Sequence, residues 1–452
     1  MSQWTSVLAI VLAGGCESEV PDAPLEEMPH VVLISVDTLR ADHVGVYGSD
    51  VLTPSIDAFA QDSVRFAKAW PAATTTLASH SSMMTGRLPH NHGVPFNGAV
   101  LDPENVTLAE VLQGAGFSTI GVVGGTPVRA STGLDQGFDT YLGPIRPGTK
   151  GNRAISEALN GLTDSPLFLF VHYWDAHWPY TPPAPWDRMY RSDDLPLKGT
   201  FGEVRTLRAD LRDGVADAPE RSEAMKGAYA GAVSYTDSAI GALITDLKSR
   251  GLYDSSLIIL TSDHGESTDE HWDYWTHGKS TYEVAVHVPL MIKLPGQTSA
   301  GTVVEMPVSL VDLYPTLLEL LGLPASDAVD GVSLVDALMQ RPQAHGPLFI
   351  EASAPSRRDE IDGSTWINTT NCAAVLDGTL KVHRCPWRET DEVYDLAADG
   401  AEQADLATTR TEDARPLFEV LEQARSTTAA RTVRLEESKE MEEALKTLGY
   451  IE

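Results

Sequence analysis

The sequence predicts a mixed α/β fold, in which a mostly parallel central sheet is flanked by helices and followed by a small antiparallel sheet. Three observations lead there. Four apolar runs, Val31 to Val36, Thr119 to Val123, Leu167 to Val171 and Leu257 to Leu260, are short, rich in β-branched or aromatic residues, and do not alternate with polar ones. Strands covered on both faces read this way. Segments with helical spacing lie between the runs, and strands that alternate with helices argue for a parallel sheet. Near the C-terminus, Cys372 and Cys385 bracket a stretch that reads as strand, Asp377-Gly378 turn and strand, the pattern of a hairpin.

In chain order, residues 1–16 carry an apolar stretch, Val7 to Gly15, that ends in small residues before Cys16. It is too short to span a bilayer but suits the apolar region of a secretory signal. With the cysteine behind it, the segment resembles a bacterial lipoprotein signal. Cys16 would then be the lipidated first residue of an exported protein anchored to a bacterial membrane; a frayed apolar N-terminus is the alternative. Residues 17–28 are acidic and proline-bearing, a tether rather than a folded element. The main folded body is expected over 29–342. Within it, Thr107 to Gly116 has a Thr cap, apolar spacing and a glycine stop. Ala228 to Leu247 carries Tyr, Ala, Ile and Leu at helical spacing and ends at Arg250-Gly251. Thr181 to Glu223 is rich in Pro, Asp and Arg, lacks a clear period, and reads as a long insertion near the site mouth. From about Gln343 the character changes. Residues 343–412 suggest the antiparallel subdomain, and 413–452 a charged helical tail. Exported proteins oxidise cysteine pairs, so a disulfide between Cys372 and Cys385 is expected, with two unpaired buried thiols as the alternative.

Composition narrows the function. Asp and Glu number 64 against 33 Lys and Arg, a net charge of −31. Such a surface repels nucleic acid and anionic lipid at long range, so nucleic-acid binding is not expected. A small anionic substrate stays open, because a metal ion and a few cations inside a cleft reverse the local field. No apolar run reaches the ~20 residues of a membrane span, which leaves the lipid anchor as the expected membrane contact.

Three of the four apolar runs lead to an acidic residue: Asp37, Asp175 with His177 two residues on, and Asp263-His264. Open α/β sheets bind ligands outside the carboxyl ends of their strands, so these side chains should meet on one edge. Gathered carboxylates repel one another unless a cation neutralises them, and a divalent metal is the economical cation. For any one such Asp, a helix cap or turn is the alternative.

These residues sit in motifs that resemble the sulfatase family of the alkaline phosphatase superfamily. Val32-Leu-Ile-Ser-Val-Asp37-Thr-Leu-Arg-Ala-Asp-His is similar to its opening, and Thr76-Leu-Ala-Ser-His80-Ser-Ser-Met-Met-Thr85-Gly86-Arg87 to its nucleophile signature. Phe168 to Tyr180 resembles the central histidine motif, and Thr261 to Glu266 with His277-Gly278-Lys279 resembles the second metal and anion-binding motif. The resemblance implies a divalent ion, Ca, Mn, Zn or Mg, held by Asp37, Asp263 and His264, with Thr76 as nucleophile and fourth ligand. It implies His177 as donor or general acid, His277 in the anion-binding motif, and Lys279 on a non-bridging oxyanion oxygen. A second metal on Asp175, His177 and His277 is the two-ion variant. His80 would pack beside Thr76, and Arg87 would end the nucleophile helix.

The departures give the chemistry a direction. Counting back from Thr85-Gly86-Arg87, Thr76 stands where sulfatases carry the Cys or Ser matured to formylglycine. The paired Asp of the opening is Asp37-Thr38, Ala78 and His80 replace Pro and Arg, and His264 stands where many calcium sulfatases carry Asn. The Lys and His expected after Thr119 are absent. A formylglycine hydrate expels sulfate by collapsing to an aldehyde; a threonine cannot. A metal-activated threonine remains a sound nucleophile for phosphoryl groups. The expected function is therefore a metal-dependent hydrolase of a sulfate or phosphate ester. A phosphodiesterase or phosphatase with a phospho-Thr76 intermediate is the narrower alternative, and a non-catalytic binding protein on the same fold is the alternative of another class.

Overall fold

The computed structural model describes residues 28–162, 165–191, 197–326, 328–352, 371–386, 388–426 and 433–434. Cys16 with its apolar stretch, the tether and most of the tail lie outside the described residues. The strands in chain order are β1 (Val31–Val36), β2 (Val64–Trp70), β3 (Ala99–Val100), β4 (Ser118–Val123), β5 (Thr140–Leu142), β6 (Leu167–Tyr173), β7 (Leu257–Ser262), β8 (Val288–Lys293), β9 (Val303–Val304), β10 (Val308–Ser309), β11 (Leu348–Glu351), β12 (Ala373–Asp377), β13 (Leu380–Arg384), β14 (Glu392–Asp395) and β15 (Val433–Arg434). Nine of them form one sheet in the order β10-β2-β8-β7-β1-β6-β4-β5, with β9 on β2. Its ladders are parallel except those β8 makes with β2 and β7.

The four apolar runs of the sequence are β7, β1, β6 and β4, side by side at the centre of this sheet. Their lack of alternation follows from what covers them. Val31, Leu33, Phe168, Phe170, Leu257 and Ile259 face one core layer together with Leu77, Met83 and Met84 of the helix Thr76–Thr85. Val32, Ile34, Leu167, Leu169, Ile258 and Leu260 face the other, under the long helix Ala218–Ser249. Each such side chain contributes on the order of 1.5–3 kcal/mol by leaving water.

The helix after Thr107 runs Leu108–Gly114, and Thr107 and Glu110 form a capping box at its start. The long helix starts at Ala218 rather than Ala228. The reading of Thr181 to Glu223 as period-less needs correction. It contains the helix Phe201–Asp213, opened by a Thr200/Glu203 capping box. Only Val204 and Leu207 of that helix are buried, too narrow an apolar stripe to show as a period. Among the described residues no helix is long and apolar enough to cross a membrane.

The strands β11 to β14 form the small antiparallel sheet, and Ala414, Leu417 and Leu421 of the helix Thr411–Ser426 pack on it. Ala373 pairs with Arg384 in the β12–β13 hairpin. Cys372 and Cys385, one step beyond that pair, are joined by a disulfide. The small sheet also braces the large one. The Glu351 amide donates to the Ala72 carbonyl at 3.0 Å and the Thr74 amide donates to Glu351 at 3.2 Å, which holds the loop that leads into Thr76.

Candidate active site

The site forms where β7, β1 and β6 end. Asp37 and Asp263 each follow a strand by one residue, and period two along a strand fixes which face they take. Both lie in phase with the strand residues that face the helix Thr76–Thr85. The turn that aims Asp37 is strained. Thr38 has φ 56°, a left-handed conformation that a β-branched residue adopts at a cost of order 1–3 kcal/mol. It is held there from two sides. The Tyr229 hydroxyl donates to its carbonyl at 2.7 Å, and its amide donates to Asp263 Oδ1 at 3.2 Å.

The polar atoms at this edge are buried and unsatisfied. Both carboxylate oxygens of Asp37, Oδ2 of Asp263, Nε2 of His264 and Oγ1 of Thr76 have no hydrogen-bond partner among the described residues. His264 Nε2 stands 3.5 Å from Asp263 Oδ2 and 4.0 Å from Asp37 Oδ1. Burial, with Asp37 nearby, pushes Asp263 up to about 7, and burial pushes Asp37 up to about 6. Buried carboxylate oxygens without hydrogen-bond partners are costly, and a cation shared between them offsets that cost. The neighbouring atoms are spent in a way that leaves these ones pointing inward. Asp263 Oδ1 accepts from the His264 amide at 2.9 Å. His264 Nδ1 donates to the Gly265 carbonyl at 2.8 Å, which fixes the tautomer with a lone pair on Nε2, the form that binds a metal. Asp37, Asp263 and His264 thus fit a divalent ion.

Thr76 is the first residue of its ten-residue helix. The preceding Thr75 is the cap position and makes no side-chain cap bond. The Thr76 hydroxyl is likewise not spent on capping, so it is available at a helix N-terminus, where anions are favoured. The first turn is pinned to the metal-ligand strand: Ser79 Oγ donates to the Asp263 carbonyl at 2.7 Å, and the Leu77 amide donates to Asn97 Oδ1 at 2.8 Å. His80 braces the same turn. Its Nδ1 donates to the Thr76 carbonyl at 2.7 Å and its Nε2 meets Ser35 Oγ at 2.9 Å. Arg87 follows Gly86, the left-handed residue that ends this helix, and donates to Asn105 at 2.7 Å.

Three histidines crowd the mouth. The His277 ring lies 4.6 Å from that of His264 and 5.0 Å from that of His177. Burial works against charge on His277, but Glu266, with Oε1 at 3.2 Å from Nδ1, outweighs it and shifts the group upward. Glu266 is wholly buried and also accepts from the Tyr180 hydroxyl at 3.0 Å. His177 is held the other way: burial, then the neighbouring His277, push it well below its ordinary value, and its Nδ1 donates to the Trp178 carbonyl. Lys279 lies half-buried two residues beyond His277.

The set Asp175, His177 and His277 is not assembled as metal ligands among the described residues. Asp175 turns away and accepts from the Gly148 amide at 2.9 Å, at the start of the helix Gly148–Leu159, the cap alternative for a strand-end Asp. With Arg146, Trp174, His177 and Tyr235, Asp175 lines a cavity of about 290 Å3 that opens beside the site. The sequence reading passed over Glu266, Arg146 and His172. Glu266 and His172 stood inside quoted motifs but were given no role, and nothing local marks Arg146.

A sulfatase family model matches residues 29–323. The chain is 27% identical over 384 residues to an arylsulfatase of Clostridium perfringens, covering 69% of this chain and 79% of that protein. It is 24% identical over 399 residues to a multifunctional alkaline phosphatase superfamily protein of Trinickia caryophylli, covering 69% and 77%. The phosphonate monoester hydrolase of Agrobacterium radiobacter shares the fold, with a TM-score of 0.69 at 23% identity over 88% of this chain and 95% of that one. Motifs, strand-end placement and family match coincide over the same residues, and the chain belongs to the sulfatase family.

Proposed function

We propose that this sulfatase-family ester hydrolase cleaves phosphate esters in preference to sulfate esters, with Thr76 as nucleophile. The observation that carries the reading is the Thr76 hydroxyl, buried and unpartnered among the described residues, on a helix turn pinned to Asp263. Asp37, Asp263 and His264 would hold a divalent ion with Thr76 as fourth ligand, and such an ion supplies charge that lowers the hydroxyl pKa and neutralises the transferred group. The chain's own residues do the rest. The helix N-terminus favours the anion at Thr76. His277, backed by Glu266, is the charged donor toward the substrate's oxygens, and Lys279 holds a non-bridging oxygen. His177 is assigned differently from the sequence expectation. Kept neutral, with Nδ1 donating to Trp178, it suits a proton-accepting role in the water attack that releases Thr76. The pocket of Trp174, Tyr235 and Arg146 would receive the leaving group.

Preference follows from the residue that replaces formylglycine. A sulfated Thr76 would have no internal route of release and would wait for direct attack by water, whereas a phosphorylated Thr76 would be open to that attack with the charge a divalent ion supplies when bound. A purely binding role gives no reason for carboxylates left unpaired in the interior. The same proposal places the protein outside the cytoplasm, tethered through lipid on Cys16, a reading the Cys372–Cys385 disulfide supports. Cys16→Ser should release it from membranes, and unchanged membrane association would remove the anchor. Turnover of an aryl sulfate, a phosphate monoester and a phosphodiester with Mn, Zn, Mg and Ca tests the chemistry. Faster phosphoester turnover is expected; faster sulfate turnover would overturn the preference.

A further inference from the structure

We propose that His172 is a further ligand of the centre formed by Asp37, Asp263 and His264, making it a two-imidazole site that takes a transition ion such as zinc or cobalt in preference to calcium. The inference rests on reading those three residues as metal ligands. His172 lies in β6, paired in register with Ser35 of β1, and in phase with Phe168 and Phe170 rather than with the opposite layer. That phase sends its ring to the face where Asp37, Asp263 and the Thr76 helix meet. Its side chain is wholly buried, and Nε2 stands 3.3 Å from Asp37 Oδ2. Donors around one ion at roughly 2.0–2.2 Å stand a few ångströms apart. The 3.3 Å from His172 to Asp37 falls there, as do the 3.5 and 4.0 Å from His264 to Asp263 and Asp37. Asp263 is common to the two candidate clusters that hold His264 and His172.

The way the ring nitrogens are used separates His172 from a packing residue. Neither of them has a hydrogen-bond partner among the described residues, and Nε2 faces Asp37 Oδ2. The neighbouring buried histidines are committed. His80 spends both nitrogens on Thr76 and Ser35, and His92 meets Ser82 Oγ at 2.9 Å. His80 also approaches Asp263, yet its hydrogen bonds leave no lone pair to offer, so the second imidazole is His172. The backbone opposite leaves room for it. A Cβ on Gly125 would come 3.0 Å from the His172 ring and 2.6 Å from Trp174, and one on Gly124 would come 3.0 Å from the His172 carbonyl. These glycines lie in the stretch where the family's Lys and His are absent. Two imidazoles beside two carboxylates shift preference from calcium, which takes oxygen donors, toward zinc or cobalt.

The full chain, stripped with a chelator and reloaded, supplies the test without reference to activity. X-ray absorption of the zinc-loaded protein should count two imidazoles in the parent and one in His172→Ala. Zinc affinity should fall by more than about 100-fold in that variant, beyond the 10–100-fold loss typical of an outer-shell partner. His172→Asn, closer in volume, should show the same loss should the alanine variant fold poorly. An unchanged imidazole count, or zinc affinity that survives in both variants while Asp263→Asn loses it, would overturn the ligand assignment and leave the centre standing. Zinc retained in Asp263→Asn as well would overturn both.

Discussion

Two regions of this protein bury charge, and they handle it in opposite ways. Beneath the small sheet, Lys381 lies 2.9 Å from Glu283 and 2.9 Å from Glu402, and Glu392 takes a hydrogen bond from the Tyr282 hydroxyl at 2.7 Å and an ion pair with Arg388 at 2.8 Å. At the edge of the large sheet, Asp37, Asp263, His264 and His172 carry buried atoms with no partner among the described residues. The first region sets its carboxylates against cations of the chain itself, Lys381 and Arg388. The second is built short of positive charge. Pairing with cations of the chain marks the first, and a clustered shortfall marks the second as the place where the proposed ion would fit.

Breaking each region should therefore show in different observables. The largest effect is expected from Asp263→Asn, which removes a carboxylate of the proposed metal set. Metal content should fall away together with turnover, as read by elemental analysis beside an assay. Full metal retention would place the ion elsewhere. Next comes Lys381→Met, which takes the ammonium partner from buried Glu402 and partly buried Glu283. It should cost about 3–5 kcal/mol of stability in denaturant unfolding while metal content per folded protein stays unchanged. Loss of metal at unchanged stability would erase the distinction between the regions. Reduction of the Cys372–Cys385 bond, which closes a loop over a separation of 13 residues, should cost about 2–3 kcal/mol. An unaltered unfolding curve would show that the small sheet does not depend on it.

Acid should divide the two regions by sign, as the smallest effect. In metal-free protein, Asp37 near 6 and Asp263 near 7 hold protons more tightly than in the unfolded chain. Their contribution to stability is fully present below the ordinary carboxylate range and is lost as pH rises through about 6 to 7. Glu392 runs the other way. Burial would raise it, but His383, Tyr282 and Arg388 hold it down to about 2. Its contribution is present above the ordinary carboxylate range and is lost as pH falls through about 2. Metal-free protein should thus gain stability from pH 8 to pH 5 relative to metal-loaded protein, and Glu392→Gln should flatten the loss at the acid end. A metal-free protein that weakens steadily from pH 8 to pH 5 would contradict the account of the large-sheet edge.

The parts of the fold that were legible in the sequence are those where one physical constraint dominates. β1, β4, β6 and β7 are covered on both faces, so their runs stand out without any knowledge of neighbours. Asp37 and Asp263 follow such runs directly. Residues whose role depends on a neighbour were hidden. His172 is an ordinary strand residue until the β1–β6 register sets it beside Asp37. Glu266 meets His277 only when the loop bearing that histidine folds back onto it. Asp175 shared the strand-end signal and was read as a ligand, yet the Gly148 amide, remote in sequence, claims it. The helix Phe201–Asp213 was missed because two buried side chains make no visible period, although its Thr200/Glu203 capping box was written in the sequence.

The central claim is that Thr76 performs the attack, and replacing it tests that claim most directly. Thr76→Ala and Thr76→Ser should be assayed on a phosphodiester at equal metal content. The alanine variant should keep its fold and metal yet lose turnover by several orders of magnitude, because a nucleophile acts as one unit with the groups that activate it. The serine variant, which keeps the hydroxyl, should recover much of that loss. Near-full turnover in Thr76→Ala with the metal in place would contradict the account.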